Sequence, residues 1–229
     1  MTALRPELDL RRPMEAVTEV GAALVDDAVE PAFLRKLAST TAGLPFHRMA
    51  AEEGRAQQGG DYWVTAEPFD ELPLVKQLGD DLAARVRSLH VGASSWMPNE
   101  VYVQRYRVGD LGVTPHRDWK RYRYLVAIVT AAGEAEFMLC KNRAGEVLRS
   151  WTTAPGSLVL LRAPGFAGLD DGRHLHAVRG PATGERISVT YRMDSRRASE
   201  IARHWDRTGS THVPGPDTSP STCPASPDA

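Results

Sequence analysis

Apolar residues recur at helical spacing in one long stretch of the chain, residues 72–89. They lie three or four positions apart, with charged residues between them: Val75, Leu78, Leu82, Val86 and Leu89. This spacing places the apolar side chains on one face of an α-helix. We therefore predict an amphipathic helix over 72–89 that covers the outer side of a sheet.

The pattern is weaker in the other helical stretches. Pro31 suits the first turn of a helix and Gly43 suits its end, so we predict a helix between them. A last helix is predicted over 195–205. The pattern of 17–25 fits either a first strand or a short helix, and residues 1–16, which show no clear period, are expected to be flexible.

Short alternating or apolar stretches predominate after residue 100 and predict strands. They are separated by turn residues, such as those at 142–145 and 155–156. The predicted strands are 101–108, 124–131, 136–141, 146–151, 157–162, 174–178 and 186–193. A double-stranded jelly roll requires about eight strands. The predicted fold class is therefore mainly β with flanking helices (α+β), a cupin-like double-stranded β-helix, and the polar segment 49–68 is a loop or an edge hairpin near its mouth.

The closing strand carries polar side chains on one face and apolar side chains on the other. Its polar positions are Arg186, Ser188, Thr190 and Arg192, and its apolar positions are Ile187, Val189 and Tyr191. A jelly roll that houses a ligand can line its lumen with the polar face and pack the apolar face under helices. Arginine binds carboxylates with a bidentate fork, so two lumen arginines suit a dicarboxylate. In the strand 101–108 the side chains that share one face are Tyr102, Gln104 and Tyr106.

Two histidines and one carboxylate form the candidate metal site. His116 and Asp118 are two residues apart, so on a strand they point the same way. His174 and His176 are both candidates for the third ligand. Such a set leaves three positions on a metal open, as in the non-haem Fe(II) oxygenases.

The sequence resembles the Fe(II)/2-oxoglutarate-dependent oxygenases over about Asn99 to Arg192. The shared features are His-x-Asp at 116–118, His-Ala-Val at 176–178 and an arginine at 186, ten residues after His176. Gln-Arg-Tyr at 104–106 and the pair Arg186 and Arg192 resemble the AlkB-like branch. The chain departs from that branch at Gln104, where asparagine is common, and in the segment 164–173.

The resemblance implies a cofactor set of Fe(II), the co-substrate 2-oxoglutarate, and O2. The implied metal ligands are His116, Asp118 and His176. The implied co-substrate residues are Arg186, which would bind the far carboxylate, Arg192, Tyr106 and Gln104. His174 would then lie outside the metal's ligand set, as a neighbour or at the mouth.

The implied activity is that of a dioxygenase, an oxidoreductase that hydroxylates a C–H bond and releases succinate and CO2. We expect the C–H bond to belong to a small molecule. An amino acid or a biosynthetic intermediate is the expected substrate. The alternative is an AlkB-type oxidative demethylase of alkylated nucleobases, and a third class is a binding protein with a vestigial site. The net charge of −1 favours the small molecule, since nucleic-acid binding normally needs a basic stripe. The local basic cluster at 120–123 suits an anionic small substrate equally well.

The length and composition of the chain, 229 residues, predict its domain organisation and its location. We expect one domain over 17–205, with a helical and loop-containing part at 17–98 and a catalytic β core at 99–193. The segment 206–229, rich in Pro, Ser and Thr, is a predicted disordered tail. No apolar run approaches the roughly 18 residues of a membrane span, and the N-terminus lacks a secretory signal, so we expect a cytoplasmic protein without membrane contact. Cys140 and Cys223 are the only cysteines, which argues against a disulfide framework.

Overall fold

The computed structural model of the protein describes residues 2–89 and 92–206. In chain order, the helices and strands within these ranges are α1 (Arg11–Val20), β1 (Ala22–Val25), α2 (Pro31–Ala42), β2 (His47–Arg48), β3 (Glu52–Glu53), β4 (Ala56–Gly59), β5 (Asp61–Ala66), α3 (Pro73–Ser88), β6 (Glu100–Arg107), β7 (Gly112–His116), β8 (Tyr122–Ala132), β9 (Ala135–Cys140), β10 (Val147–Thr153), β11 (Leu158–Arg162), β12 (Leu175–Arg179), β13 (Glu185–Asp194) and α4 (Ala198–Asp206). Each of the seven predicted strands is present, with ends within two residues of the predicted ones.

The strands form two antiparallel sheets that pack face to face. The larger sheet has the strand order β1-β11-β8-β13-β6-β5-β2, and the smaller has the order β10-β9-β12-β7-β4-β3. Buried side chains of β8 and β9 join the two inner faces, among them Val126, Ile128, Phe137 and Leu139. The predicted fold class, a double-stranded β-helix with flanking helices, is confirmed.

Helices α2 and α3 cover the outer face of the larger sheet. Four of the apolar residues predicted for α3 are buried, and they form one cluster with the odd positions of β13: Val75, Leu78, Leu82, Val86, Ile187, Val189 and Tyr191. The fifth, Leu89, follows the end of α3 and is partly buried. The Tyr191 hydroxyl donates a hydrogen bond to the Val75 carbonyl at 2.8 Å, which ties the sheet to the start of α3. Because side chains alternate along a strand, the polar even positions of β13 must face the other way, into the lumen.

The N-terminal segment differs from the expectation of flexibility. Ala3 and Leu4 are buried, and Leu4 forms an antiparallel bridge with Val29. The stretch 17–25 contains both of the structures considered for it, because α1 ends at Val20 and β1 begins at Ala22. Irregular segments carry no period, so their burial leaves no pattern in the sequence.

Two further expectations concern the mouth and the ends of the chain. The segment 49–68 contains the hairpin β3–β4 and the strand β5, as the hairpin alternative predicted. The tail predicted beyond Asp206 lies outside the described residues. Within the described ranges, no helix is both long and apolar enough to cross a membrane.

Candidate active site

Two neighbouring strands of the smaller sheet bring the candidate metal ligands together. His116 ends β7 and pairs in register with His176 of β12, so the two imidazole centroids are 4.3 Å apart. Asp118 places one carboxylate oxygen 3.9 Å from His116 Nε2 and the other 3.9 Å from His176 Nε2. The three ligand atoms lie within 4.8 Å of one another, a spacing that suits a single ion between them.

A loop, and not the strand predicted from the sequence, positions Asp118. The strand β7 ends at His116, so Asp118 lies in the following loop and strand alternation does not orient it. Arg173 holds the loop by donating a hydrogen bond to the Asp118 carbonyl. The turn of the chain after the strand therefore brings the carboxylate back toward the two rings.

Backbone carbonyls orient both imidazole rings. His116 Nδ1 lies 3.0 Å from the Thr114 carbonyl oxygen, and His176 Nδ1 lies 3.3 Å from the His174 carbonyl oxygen. A proton on Nδ1 satisfies each carbonyl and leaves Nε2 unprotonated toward Asp118. Phe137 stacks on the His176 ring at 5.6 Å and restricts its rotation.

Electrostatics favour the protonation states that bind a metal. Burial, reinforced by the neighbouring His116, lowers the pKa of His176 to about 4, although Asp118 acts in the opposite direction. Burial alone would raise the pKa of Asp118, but His176 and Arg192 outweigh it and hold that pKa below its usual value. Near neutral pH the set therefore offers a neutral imidazole and a carboxylate, as metal binding requires.

His174, the other candidate for the third ligand, points away from this group. It precedes β12, so the shared strand parity that made it a candidate does not apply. Its Nε2 lies 3.1 Å from Arg162 Nη2, and its ring packs against the backbone of Gly21.

Arg186 is a buried cation at the inner end of the lumen. The residue is 1% exposed, and among the described residues its guanidinium hydrogen-bonds only to hydroxyl groups: Nη1 donates to Ser188 Oγ at 3.0 Å and Nη2 to Thr130 Oγ1 at 3.4 Å. Its Nε has no partner, and no acidic side chain of the described residues pairs with it. Burial lowers the pKa of Arg186 to about 10, so the side chain remains charged at neutral pH.

Gln104 and Tyr106 face the lumen beside Arg186, as the alternation of β6 predicted. Arg186 pairs in register with Tyr106, and Ser188 pairs with Gln104. Gln104 Nε2 donates to the Tyr106 hydroxyl at 2.7 Å, which leaves the phenolic proton free to donate elsewhere. Burial raises the pKa of Tyr106, although Arg186 acts in the opposite direction, so the phenol remains protonated.

Arg192 lies on the same face of β13 but is neutralised by a buried acid. Arg192 Nη1 is 3.2 Å from Glu100 Oε1 and 3.2 Å from the Tyr122 hydroxyl. Its guanidinium also lies 4.7 Å from the ring centroids of Tyr102 and Tyr122. The Trp205 Nε1–H donates to the other Glu100 oxygen at 3.1 Å, which anchors α4 against this end of the lumen.

A cavity of about 380 Å³ opens beside the candidate ligands. His116, Asp118, Gln104 and Arg192 contribute to its wall, and aromatic rings form much of the remainder: Tyr102, Tyr122, Trp119 and Trp205. In the part of the chain that the structure describes, five arginines but two acids line it: Arg55, Arg117, Arg143, Arg173 and Arg192, with Glu53 and Asp118. Four of these arginines carried no signal in the sequence, because they come from separate turns and loops.

The basic cluster singled out at 120–123 lies elsewhere. Arg121 stacks on Trp119 at 3.7 Å and pairs with Asp194 at 2.8 Å, so it is structural. Of the four residues, Tyr122 alone lines the cavity. The indole of Trp119 also packs edge-on against His204 of α4, with the ring centroids 5.9 Å apart.

The residues present fit both an iron ion and a dicarboxylate. Two imidazoles and one carboxylate are the donor set of the facial triad, which leaves coordination positions open. Arg186 supplies a buried positive charge that lacks a counter-ion within the described chain.

Comparison with solved structures identifies the fold. The chain superposes on the non-heme alpha ketoglutarate dependent epimerase SnoN from nogalamycin biosynthesis with a TM-score of 0.58 and 17% identity, covering 96% of each chain. An oxidoreductase of the 2OG-Fe(II) oxygenase family from Burkholderia pseudomallei gives 0.54 and 17% over 83% of this chain and 93% of that one. The protein has the fold of the 2OG-Fe(II) oxygenases.

The same comparison does not separate the branches of this fold. OsALKBH1 gives a TM-score of 0.56 at 12% identity, over 76% of this chain and 98% of its own, a similarity comparable to that of the epimerase. No family model matches the chain, and neither does any curated protein.

Proposed function

We propose that the protein is an Fe(II)/2-oxoglutarate-dependent dioxygenase that hydroxylates a C–H bond of a small molecule. The observation that carries the proposal is Arg186, a buried cation without an acidic partner, in a lumen that also holds His116, Asp118 and His176. An isolated buried charge is costly unless a partner neutralises it. A bound dicarboxylate would supply that partner, and the oxygenase fold agrees with this assignment.

The chain's own residues have separate tasks in this proposal. His116, Asp118 and His176 hold Fe(II), which with 2-oxoglutarate and O2 supplies the oxidation of a C–H bond and the release of succinate and CO2. Arg186 binds the far carboxylate of the co-substrate, with its guanidinium oriented by Ser188 and Thr130.

Other lumen residues complete the pocket. The Tyr106 hydroxyl donates a hydrogen bond to the co-substrate, and Gln104 orients that hydroxyl. Arg192 lies at the end of the lumen nearer the metal ligands and lowers the pKa of Asp118. The aromatic wall, with Trp205 contributed by α4, excludes water from the reacting atoms.

The test is a pair of matched histidine variants. We expect His176→Ala to abolish Fe(II)-dependent release of succinate and to weaken metal binding measured by calorimetry. The loss should exceed the roughly 10- to 100-fold effect of removing an outer partner of a metal ligand. His174→Ala, two residues away and outside the group, should retain both properties. Full activity in His176→Ala would refute the assignment.

The second candidate function is oxidative demethylation of alkylated nucleobases. The similarity of residues 104–106 and of the Arg186 and Arg192 pair to the AlkB-like branch favours it. Those residues lie at the proposed metal and co-substrate sites, so they favour the AlkB-like branch without identifying the oxidised molecule. Succinate release stimulated by a methylated single-stranded oligonucleotide, but not by a panel of amino acids and biosynthetic intermediates, would establish this alternative.

A further inference from the structure

Three arginines surround the outer end of the cavity and come from three separate segments. Arg55 lies in the turn between β3 and β4, Arg117 in the loop after β7, and Arg143 in the turn between β9 and β10. All three line the cavity that opens beside His116 and Asp118. We call Arg55, Arg117 and Arg143 the mouth arginines. Because the three arginines are far apart in the sequence, the fold and not the local sequence brings them together.

None of the mouth arginines forms an ion pair within the described residues. Arg117 Nε donates to the Arg173 carbonyl at 3.2 Å, and Arg143 Nη1 donates to the Pro115 carbonyl at 3.2 Å. Each of these bonds uses one of the five N–H donors of a guanidinium and neutralises no charge. Arg55 is exposed, and the strand β4 that follows it pairs with β7, where Gln57 N also donates to Thr114 Oγ1 at 2.9 Å. Within the described part of the chain, no ion pair therefore compensates the positive charges of the mouth arginines.

Most of the nearby acids are engaged elsewhere, and the two that form no ion pair within the described residues, Glu52 and Glu53, are outnumbered by the three mouth arginines. Asp171 is paired with Arg173 at 2.6 Å, and Glu146 with Lys141 at 3.0 Å. Asp118 belongs to the candidate metal set. Glu53 lies at the mouth, where its carboxylate accepts hydrogen bonds from Trp119 Nε1 at 3.2 Å and Gln58 Nε2 at 3.4 Å, but it forms no ion pair. A chain whose formal net charge is −1 thus concentrates positive charge around one opening.

The position of the arginines indicates where an anion would lie. Arg55 and Arg143 also line a shallower depression that adjoins the cavity beside Thr114 and Pro115, and its acidic lining residue is the exposed Glu52. An anionic group at this rim would contact guanidinium groups on two sides, while the rest of the molecule extends into the cavity toward the metal ligands. Arginine forks suit carboxylate and phosphate groups equally well.

We propose that the substrate is a small anionic molecule whose carboxylate or phosphate group is bound by the mouth arginines. This inference rests on the proposed function and adds the chemical class of its substrate. The charges cluster at one opening beside a cavity of about 380 Å³, a size suited to a small molecule. A longer nucleic acid would need a positively charged groove that follows its backbone over several nucleotides.

The experiment uses the full chain loaded with Mn(II), a redox-inert substitute for Fe(II), and saturating 2-oxoglutarate. Calorimetry first measures the binding of these two ligands, and then the binding of inorganic phosphate, benzoate and the neutral analogue benzamide at low salt. We compare the wild-type protein with the triple variant of the mouth arginines, each changed to Gln. A control variant has the same change in net charge at exposed arginines outside the cavity: Arg12→Gln, Arg35→Gln and Arg149→Gln.

The expected result is that phosphate or benzoate binds the loaded protein more tightly than benzamide does. The mouth variant should bind the anion roughly 10-fold more weakly, since exposed charge pairs each contribute little, whereas the control variant should bind as the wild type does. Tighter binding of phosphate or of benzoate will distinguish the two anionic groups.

Several outcomes would overturn the proposal. Equal anion binding in the mouth and control variants, or benzamide binding as tightly as benzoate, would contradict it. An affinity for single-stranded oligonucleotides that rises with their length and depends on the mouth arginines would assign them to nucleic acid instead. Loss of 2-oxoglutarate binding in the mouth variant would assign them to the co-substrate, and failure of the wild type to bind Mn(II) and 2-oxoglutarate would refute the proposed function itself.

Discussion

Arg186 and Arg192 lie six residues apart on one face of β13, yet they contact different kinds of groups at the two ends of the lumen. Arg192 meets Glu100, whose carboxylate is fully buried, and the pair belongs to a network with Tyr122 and Trp205. Within the described chain, Arg186 hydrogen-bonds to hydroxyl groups only. Burial acts to lower the pKa of both arginines, but at Arg192 the surrounding Tyr122 and Glu100 raise it above its usual value, whereas at Arg186 the pKa falls to about 10.

This difference separates a structural charge from a binding charge. A buried ion pair completed within the chain needs no ligand, whereas a buried cation that meets only neutral groups is a candidate site for an anion. Burial alone does not distinguish the two, since both arginines are shielded from solvent. The two arginines differ in whether the facing residue on β6 is an acid. The register of β13 and β6 places Glu100 opposite Arg192 and Tyr106 opposite Arg186.

The largest expected effect is on stability at the Arg192 end. Arg192→Met would leave Glu100 buried with less compensation, so we expect the free energy of unfolding to fall by about 3 kcal/mol, the lower end of the range for a broken buried pair. Tyr122 and Trp205 still donate to Glu100, which limits the loss. Denaturant unfolding without metal or co-substrate measures it.

The matched variant is Arg186→Met under the same conditions. Removal of an unpaired buried charge should leave the free energy of unfolding nearly unchanged or raise it, since an apolar side chain replaces an uncompensated ion. If both variants are destabilised by the same amount, the contrast between the two ends of the lumen is wrong.

The next effect is stabilisation by the co-substrate. With Mn(II) present, 2-oxoglutarate at 100 times its dissociation constant should raise the free energy of unfolding of the wild type by about 2.7 kcal/mol. The same concentration should stabilise Arg186→Ala far less, because the far carboxylate has lost its cation. Thermal unfolding with and without co-substrate tests this, and equal stabilisation of the two proteins would exclude Arg186 as the binding residue.

The kinetic counterpart concerns the co-substrate requirement. Truncating one partner of a buried charge pair typically costs about 2–5 kcal/mol, so Arg186→Ala should raise the 2-oxoglutarate concentration for half-maximal succinate release by roughly 30-fold or more. Its affinity for Mn(II) alone should stay unchanged, since His116, Asp118 and His176 are untouched. An unaltered co-substrate requirement would make Arg186 a structural residue.

The sequence could predict which side chains face the lumen but not which of them find partners. The two-residue period of β13 is visible in the chain, and the predicted face is the observed one. The pairing of Arg192 with Glu100 joins positions 92 residues apart and depends on strand register, which the pattern does not encode. The mouth arginines, from three separate segments, escaped prediction for the same reason.

The predicted metal ligands do converge, but the strand alternation used to predict them accounts for only part of the arrangement. His116 and Asp118 were expected to share the face of a strand, but the strand ends at His116 and a loop positions the carboxylate. His174 and His176 have the same parity, yet one lies before β12 and the other within it. A strand boundary that shifts by one residue is enough to change which side chains converge, and periodicity alone does not locate that boundary.

The smallest expected effect concerns Tyr106, which shares the inner end of the lumen with Arg186. Its hydroxyl accepts a hydrogen bond from Gln104 and retains a proton to donate to the co-substrate. Tyr106→Phe keeps the ring and the packing but removes that donor, so the co-substrate requirement should rise by about 10-fold, since a hydrogen bond to a charged group contributes about 1.5 kcal/mol or more. The change should be smaller than that of Arg186→Ala, because a neutral donor is lost and the charge remains.

Succinate release at varied 2-oxoglutarate measures it, with Tyr62→Phe, an aromatic neighbour on β5, as the control. If Tyr106→Phe matches Arg186→Ala, then the hydroxyl and not the buried charge dominates binding at this end, and the comparison with Arg192 loses its basis.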